Sequence, residues 1–305
     1  MYSFSFFSSS KNFTLHSSGF PSKCALNSKY SPLSSHLVEA LRVREVIGLE
    51  DLNYQLWKAI VSLYREDSLS HFYLLYDLLY ELDRIALLLE VRGGVIASYA
   101  LSWRGWQGLG VHLWGFMEEA VRIMDFDRRM TIHVYLPHQL KRVLQLVESH
   151  GKVEVKRFID MVADEEFFNP CNMELASPLR EKHLSVFMEI KREQGCILSS
   201  AAARHMLLNS KYYGVFVDGR LVSIACCYIR LPEVWLIGDV YTHPDYRGRG
   251  FAKAVVSAVT RDAIQSGARA LLHVEEGNKP AISVYRSLGY CPVKIRPWIF
   301  YEPQR

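Results

Sequence analysis

Two β-rich runs of equal length, LLLEVRGGVIASYALSW (Leu87–Trp103) and YGVFVDGRLVSIACCYI (Tyr213–Ile229), each break in the middle at a glycine turn. Gly93-Gly94 forms one break and Asp218-Gly219 the other. Such a run predicts a β-hairpin, because a tight turn leaves its flanking strands free only to pair antiparallel. What surrounds the two hairpins also repeats. Near the first, LSHFYLLYDLLYEL carries apolar residues at helical spacing, with Tyr73, Tyr76 and Tyr80 among them, a stripe that reads as core. After it, LGVHLWG predicts a strand, FMEEAVRIM a helix and MTIHVYL a strand. PHQLKRVLQLVESHG then predicts a helix with Pro near its start and Gly past its end, and KVEVKRFIDMVAD a closing strand. Around the second hairpin, PLREKHLSVFMEIKREQG and SSAAARHMLLNS predict helices, the latter capped by Ser199 or Ser200. EVWLIGDVYTH predicts a strand, GFAKAVVSAVTRDAIQSG a helix, ARALLHV a buried strand and KPAISVYRSLG a short helix. YCPVKI and WIFYE are expected to finish the sheet as two strands. The chain therefore reads as two α/β units of similar plan, with the seam at ADEEFFNPCN (Ala163–Asn172), where acids, Asn and Pro interrupt the periodicity.

The totals exclude several classes. Half of the 305 residues are hydrophobic and 22% are charged, a globular balance large enough for two domains. No apolar run is long enough to cross a bilayer as a helix, so no membrane partner is expected. The formal charge is +4, part of it from Lys11, Lys23 and Lys29 in the first stretch, which leaves no dense basic stripe for nucleic acid. Six cysteines show no CxxC and no Cys/His quartet, so no metal site is expected, and their usage fits a reduced compartment. His112, His133 and His138 have no ligand spacing and read as surface or satisfied core histidines. Residues 1–36 are Ser-rich, acid-free and aperiodic. They are either a disordered extension, translated sequence upstream of another start, or an organelle transit segment. The expected location is cytoplasmic, or organellar if that stretch is a transit segment.

The stretch YTHPDYRGRGFAKA (Tyr241–Ala254) carries the chemistry. It lies between a strand and an amphipathic helix whose first N–H groups lack intrahelical partners and whose end is partly positive. Glycines bring such a backbone close to an anion, so the loop is either a diphosphate cradle or a bare strand-to-helix turn. It is no Walker loop, and Lys253 stands where a dinucleotide fingerprint needs its third glycine. Arg247, Gly250 and Ala252 do fill the places of the acyl-CoA loop of the Gcn5-related N-acetyltransferase (GNAT) superfamily, which this part of the chain resembles. Downstream, LLHVEEGNKPAISVYRSLGY supplies the superfamily's second signature, with Asn278, Tyr285 seven residues on, and Gly289-Tyr290. The match covers about Ser177 to Tyr301, and the tandem plan is similar to the glycine N-acyltransferase-like branch. The first hairpin has no comparable glycine loop after its third strand.

The resemblance implies an α/β (α+β) GNAT fold: a mixed, mostly antiparallel sheet flanked by helices, in two tandem copies. It implies a degenerate first copy over residues 37–166 and a catalytic N-acetyltransferase domain over residues 172–305. Acetyl-CoA or another acyl-CoA is the implied co-substrate, and a small-molecule amine or a peptide or protein amine the implied acceptor. The implied roles follow position by position. Val240, Tyr241 and Thr242 would lie along the pantetheine arm and thioester, with the Val240 N–H toward the thioester oxygen. Arg247, Gly248, Arg249, Gly250, Phe251 and Ala252 would hold the pyrophosphate. Asn278 would bind pantetheine while capping the helix that follows, and Tyr285 would protonate the leaving thiolate. By spacing alone Tyr285 belongs to a core stripe with Ala281, Val284 and Leu288, and Arg249 and Lys253 read as outward charges. Where some members of the superfamily carry a Glu as base, eleven residues before Arg247, this chain has Leu236. Glu233, Asp239, His243, His273 or a water chain stay open for that role. An acyl-CoA-binding sensor or scaffold without turnover is the rival to the enzyme.

Overall fold

The computed structural model describes residues 44–105 and 108–304; the expectations for residues 1–36 lie outside them. Both hairpins form where the glycine turns place them. β2 (Ile85–Arg92) pairs with β3 (Val95–Arg104), and β8 (Lys211–Val217) with β9 (Arg220–Arg230). β1 (Arg44–Gly48) and β7 (Ala176–Pro178) flank them on the outer edges. Each hairpin is followed by a parallel pair: β4 (Leu109–Trp114) with β5 (Met130–Val134), and β10 (Val234–Thr242) with β11 (Arg269–Glu275). The longest strands, β6 (Gly151–Ala163) and β12 (Cys291–Pro303), each close one half of the sequence.

These strands build one sheet in the order β1-β2-β3-β4-β5-β12-β6-β11-β10-β9-β8-β7. The two closing strands are exchanged. β12 lies against β5 of the first half, β6 lies against β11 of the second, and the two pair antiparallel along their whole length. One hydrogen-bonded surface therefore runs through both units. YCPVKI and WIFYE form a single strand, not two, with a register shift between Pro292 and Lys294. Pairing with β5 starts at Trp298, one residue past Pro297, which has no N–H to donate.

Helices cover both faces. On one face lie α1 (Tyr54–Glu66), α2 (Ser68–Tyr80), α4 (Leu184–Glu193) and α5 (Ser200–Asn209); their buried residues share a core with Leu236 and Leu271. On the other, α6 (Phe251–Gln265) and α7 (Lys279–Ser287) pack on the second half through Val255, Val259 and Tyr285. α3 (Leu140–Val147) packs on the first half through Val143 and Val147. Caps follow the sequence: Ser199 accepts from the Ala202 N–H and Asn53 from Gln55 and Leu56. FMEEAVRIM is not an α-helix; Glu118–Ile123 is a short 3-10 turn that follows Gly115 at φ +80° and an extended Met117.

Candidate active site

β10 and β11 pair from Val234/Arg269 to Ile237/Leu272 and then separate. β10 stays attached to β9 on its other edge, through a register shift between Gly238 and Tyr241. This bulge turns the backbone of residues 238–242 toward the opening between the parallel strands. Three features hold it. Gly238 leaves room for the Tyr228 ring, which a Cβ there would meet at 2.4 Å. Asp239 adopts φ +50°, the left-handed region. Its carboxylate is fully buried and accepts from Lys191 Nζ at 2.8 and 2.9 Å, Gln194 Nε2 at 2.8 Å and Tyr212 Oη at 2.7 Å. Lys191 is itself 0% exposed, so α4 is bolted onto the bulge by a buried ion pair whose hydrogen bonds are all made.

Val240 and Tyr241 pack into the cores on opposite faces, as strand alternation requires. The Thr242 hydroxyl bonds Ser223 at 2.8 Å, and its carbonyl accepts from Arg247 Nε at 3.1 Å. Arg247 thus ties the loop back to the strand, and its own N–H is spent on Pro244 O. The cradle begins after it. Gly248 and Gly250 sit at φ +78° and +83°, and Gly250 is the N-cap of α6. Phe251 and Ala252 open the helix, so their N–H groups are among those without an intrahelical acceptor. The Arg249 guanidinium lies 5.2 Å from the Tyr246 ring centroid, which adds positive charge beside the loop, whereas Arg220, 5.8 Å from the same ring, is paired with Glu193.

Asn278 caps α7, accepting from the Ala281 N–H at 3.2 Å. About two turns on, Tyr285 is 7% exposed, in the core that also holds Val255 and Ile237. Burial pushes its phenol well above its ordinary range, so it keeps its proton at neutral pH.

The open candidates for a base separate clearly. Leu236 is core. Glu233 precedes β10 at its far end and accepts from Tyr64 Oη at 2.6 Å. Asp239 is sealed by Lys191, Gln194 and Tyr212. His243 Nδ1 accepts from the Asp245 N–H, and its Nε2 lies 3.8 Å from Glu193. His273 directly follows the last residue of β11 that pairs with β10, stands opposite Asp160 of β6, and shares a 2.7 Å contact between Nδ1 and Asp160 Oδ1. Sequence reasoning missed Asp160, Lys191, Gln194 and Tyr212. Nothing local marks them: a lysine on an amphipathic helix reads as a solvated charge until the helix is docked.

The first half does not open. β4 and β5 pair to Leu113/Val134, and the Tyr135 N–H extends the ladder to Leu113 O. On the sheet face beside α2 there is instead a cleft of about 700 Å³, walled by Tyr73, Gly110, His112, His133 and Phe300 and reached by Gly195 from the end of α4. Ion pairs stand at its mouth: Arg129–Glu302 at 3.2 Å and Lys156–Glu154 at 3.4 Å. His112 and His133 are buried core histidines, with ring centroids 4.4 Å apart. Among the described residues no cluster of His, Cys, Asp and Glu has the form of a metal site.

Residues 178–290 match the acetyltransferase (GNAT) family. The mycothiol acetyltransferase of Nocardiopsis dassonvillei is 37% identical over 87 residues, 28% of this chain and 25% of that protein. The chain thus spans about a quarter of that curated relative's length. Among solved structures, a tandem GNAT protein from the clavulanic acid biosynthesis pathway superposes over 86% of this chain and 100% of its own, with TM-score 0.53 and 12% identity. A GCN5-related N-acetyltransferase-like protein from Streptococcus suis covers 72% of this chain and 90% of its own, with TM-score 0.53 and 14% identity. At these identities the likeness is one of fold: a large mixed sheet, mostly antiparallel and flanked by helices.

Proposed function

We propose that this chain, which carries a domain of the acetyltransferase (GNAT) family over residues 178–290, is an N-acyltransferase that moves an acyl group, acetyl first among them, from CoA directly to an amine. The observation that carries the reading is the opening of β10 from β11 at a pinned bulge, continuous with a left-handed glycine loop at a helix N-terminus. An acyl-CoA has matching parts: a flat amide-rich arm that can pair with a strand edge, and a diphosphate for the loop. Gly248 to Ala252 hold the diphosphate, with Arg249 beside them and Arg247 bracing the turn. The freed edge of Val240, Tyr241 and Thr242 takes the pantetheine, and the Val240 N–H faces the thioester oxygen as charge builds there. Asn278 orders the start of α7, which carries Tyr285 into the site. Tyr285, a neutral phenol whose pKa burial raises further, gives its proton to the departing thiolate.

The catalytic unit is residues 172–305, and residues 37–166 are a second copy that has no anion loop and walls the acceptor side. The cleft beside α2 is the acceptor's way in: it adjoins the second half through Gly195, and its aromatic and charged walls suit an amine. CoA release from acetyl-CoA, followed with glycine, spermidine, 2-phenylethylamine and a peptide N-terminus as acceptors, tests this. Amine-dependent release is expected, and Tyr285→Phe should lower kcat by about 10²–10⁴-fold while acetyl-CoA still binds. Binding without turnover for every amine would mark an acyl-CoA sensor instead.

A further inference from the structure

Among the candidate bases, His273 has a second ring nitrogen that is both buried and without a hydrogen-bond partner among the described residues. Its side chain is 6% exposed, Nδ1 is taken by Asp160, and Nε2 is buried with no hydrogen-bond partner among the described residues. A buried imidazole nitrogen without a partner is costly, and a catalytic role that supplies a partner during the reaction is one of the few reasons to keep it. The surroundings indicate which ligand. His273 follows Leu272, where β10 and β11 part, and it shares the sheet face of Leu271, under α2 and α4. Its ring stacks 6.1 Å from Tyr73 and lies 6.5 Å from His133 and 5.3 Å from Trp298. Tyr73 and His133 are walls of the acceptor cleft. The imidazole therefore stands between the inner end of that cleft and the strand opening.

Asp160 sets the tautomer. Burial alone would raise its pKa, but Arg296, with Nε 3.2 Å from Oδ2, and His273 hold it below the ordinary carboxylate range. An ionised Asp160 accepts the hydrogen bond of Nδ1–H, which leaves Nε2 as the basic nitrogen. The other groups around the ring are mixed. Lys294 and Arg296 come from β12, His112 and His133 from β4 and β5, and Tyr73 from α2.

We propose that His273 is the general base of the transfer and that Asp160 is its positioning residue, an assignment that rests on the transferase reading above. The amine nitrogen forms its bond to the thioester carbon as the C–S bond breaks. The proton lost by that nitrogen goes to His273 Nε2, and the thiolate takes one from Tyr285. His273 then carries one proton too many and Tyr285 one too few, and exchange with water restores both. Asp160 lies on β6, which the first half contributes, so the second half's chemistry depends on a residue from the first.

The test compares wild type with His273→Gln and Asp160→Asn, using acetyl-CoA and 2-phenylethylamine, a probe chosen for the aromatic cleft. Rates are read as kcat at saturation, so that the free amine's own titration drops out. His273→Gln, which leaves the Asp160–Arg296 pair intact, should lose about 10²–10⁴-fold in kcat and its rising limb with pH, with an acetyl-CoA Kd within about twofold of wild type. Imidazole in the buffer should restore part of the rate of His273→Ala. Asp160→Asn should move the rising limb to lower pH and lower its plateau, because the imidazolium loses its carboxylate. A His273→Gln enzyme with wild-type kcat and pH profile overturns the assignment, as does a loss of acetyl-CoA binding that accounts for the whole defect. If wild type releases no CoA with this or any amine of the panel, the transferase reading fails and this proposal with it.

Discussion

Gly250 shows how much one residue can be asked to do. It is the N-cap of α6, it sits at φ +83°, and an added Cβ would lie 3.5 Å from the Asn172 amide, an ordinary contact. Space is thus available for a side chain, and conformation is what selects glycine: a left-handed backbone costs an L-residue about 1–2 kcal/mol. Gly250→Asp should therefore fold, while placing a carboxylate at the helix end proposed to hold the diphosphate. Acetyl-CoA affinity, measured by calorimetry, should fall roughly tenfold or more, which corresponds to about 1.4 kcal/mol. A folded Gly250→Asp protein with unchanged affinity would remove the loop from the site. Asn278 and Tyr285 were legible in the same way, since their spacing sets one at the helix cap and the other on the buried stripe. Asp239 was not. Its neighbours in sequence are Gly238 and Val240, and the groups that seal its carboxylate come from α4 and β8.

Among elements, α2, β4 and β5 meet through histidines. His71 of α2 is pushed down to about 4 and His112 of β4 to about 3, both by burial first. Burial also drives His133 of β5 well below its ordinary value, with His112 and His273 adding to it. Each of these is neutral when folded, while the unfolded chain takes up a proton near pH 6.5. The sign follows: stability is complete above pH 6.5 and is lost as pH falls from there toward 4 and 3. Each histidine contributes about 1.4 kcal/mol per pH unit within its window. Urea midpoints at pH 7.5, 6 and 5 should drop steadily, and His112→Asn should flatten the trend even if it lowers the midpoint at pH 7.5. An unchanged slope in that variant would mean that His112 is protonated in the fold. The hairpins, α5 and α7 were readable because turn glycines and caps act within a few residues. α1 was passed over although Asn53 caps it and Leu56, Ile60 and Tyr64 carry its buried face. The stretch after β4 read as a helix from its apolar spacing, but a left-handed Gly115 and an extended Met117 leave room only for a 3-10 turn.

At the scale of the molecule, the exchange of β6 and β12 governs how the halves depend on each other. β6 is hydrogen-bonded on one side by β12 and on the other by β11. A fragment of residues 172–305 would keep the whole glycine loop at the start of α6 and Tyr285, yet lose the strand between β11 and β12 and expose long unpaired edges. It should be aggregated or unfolded by gel filtration and circular dichroism, and co-expression with residues 37–166 should recover a soluble complex. A monomeric, folded fragment that binds acetyl-CoA would show that the exchange is dispensable. The tandem plan and the left-handed glycine loop before α6 follow from the order of residues along the chain, because hairpin turns, helix caps and glycine conformations are settled locally. The partner of each closing strand is not settled locally. β6 and β12 are both 13 residues long and each carries one continuous buried run, so neither strand's own pattern selects its own half over the other. Only the packed sheet decides that they cross, and with that decision it brings Asp160 to His273, Lys191 to Asp239 and the cleft of one half to the open strands of the other.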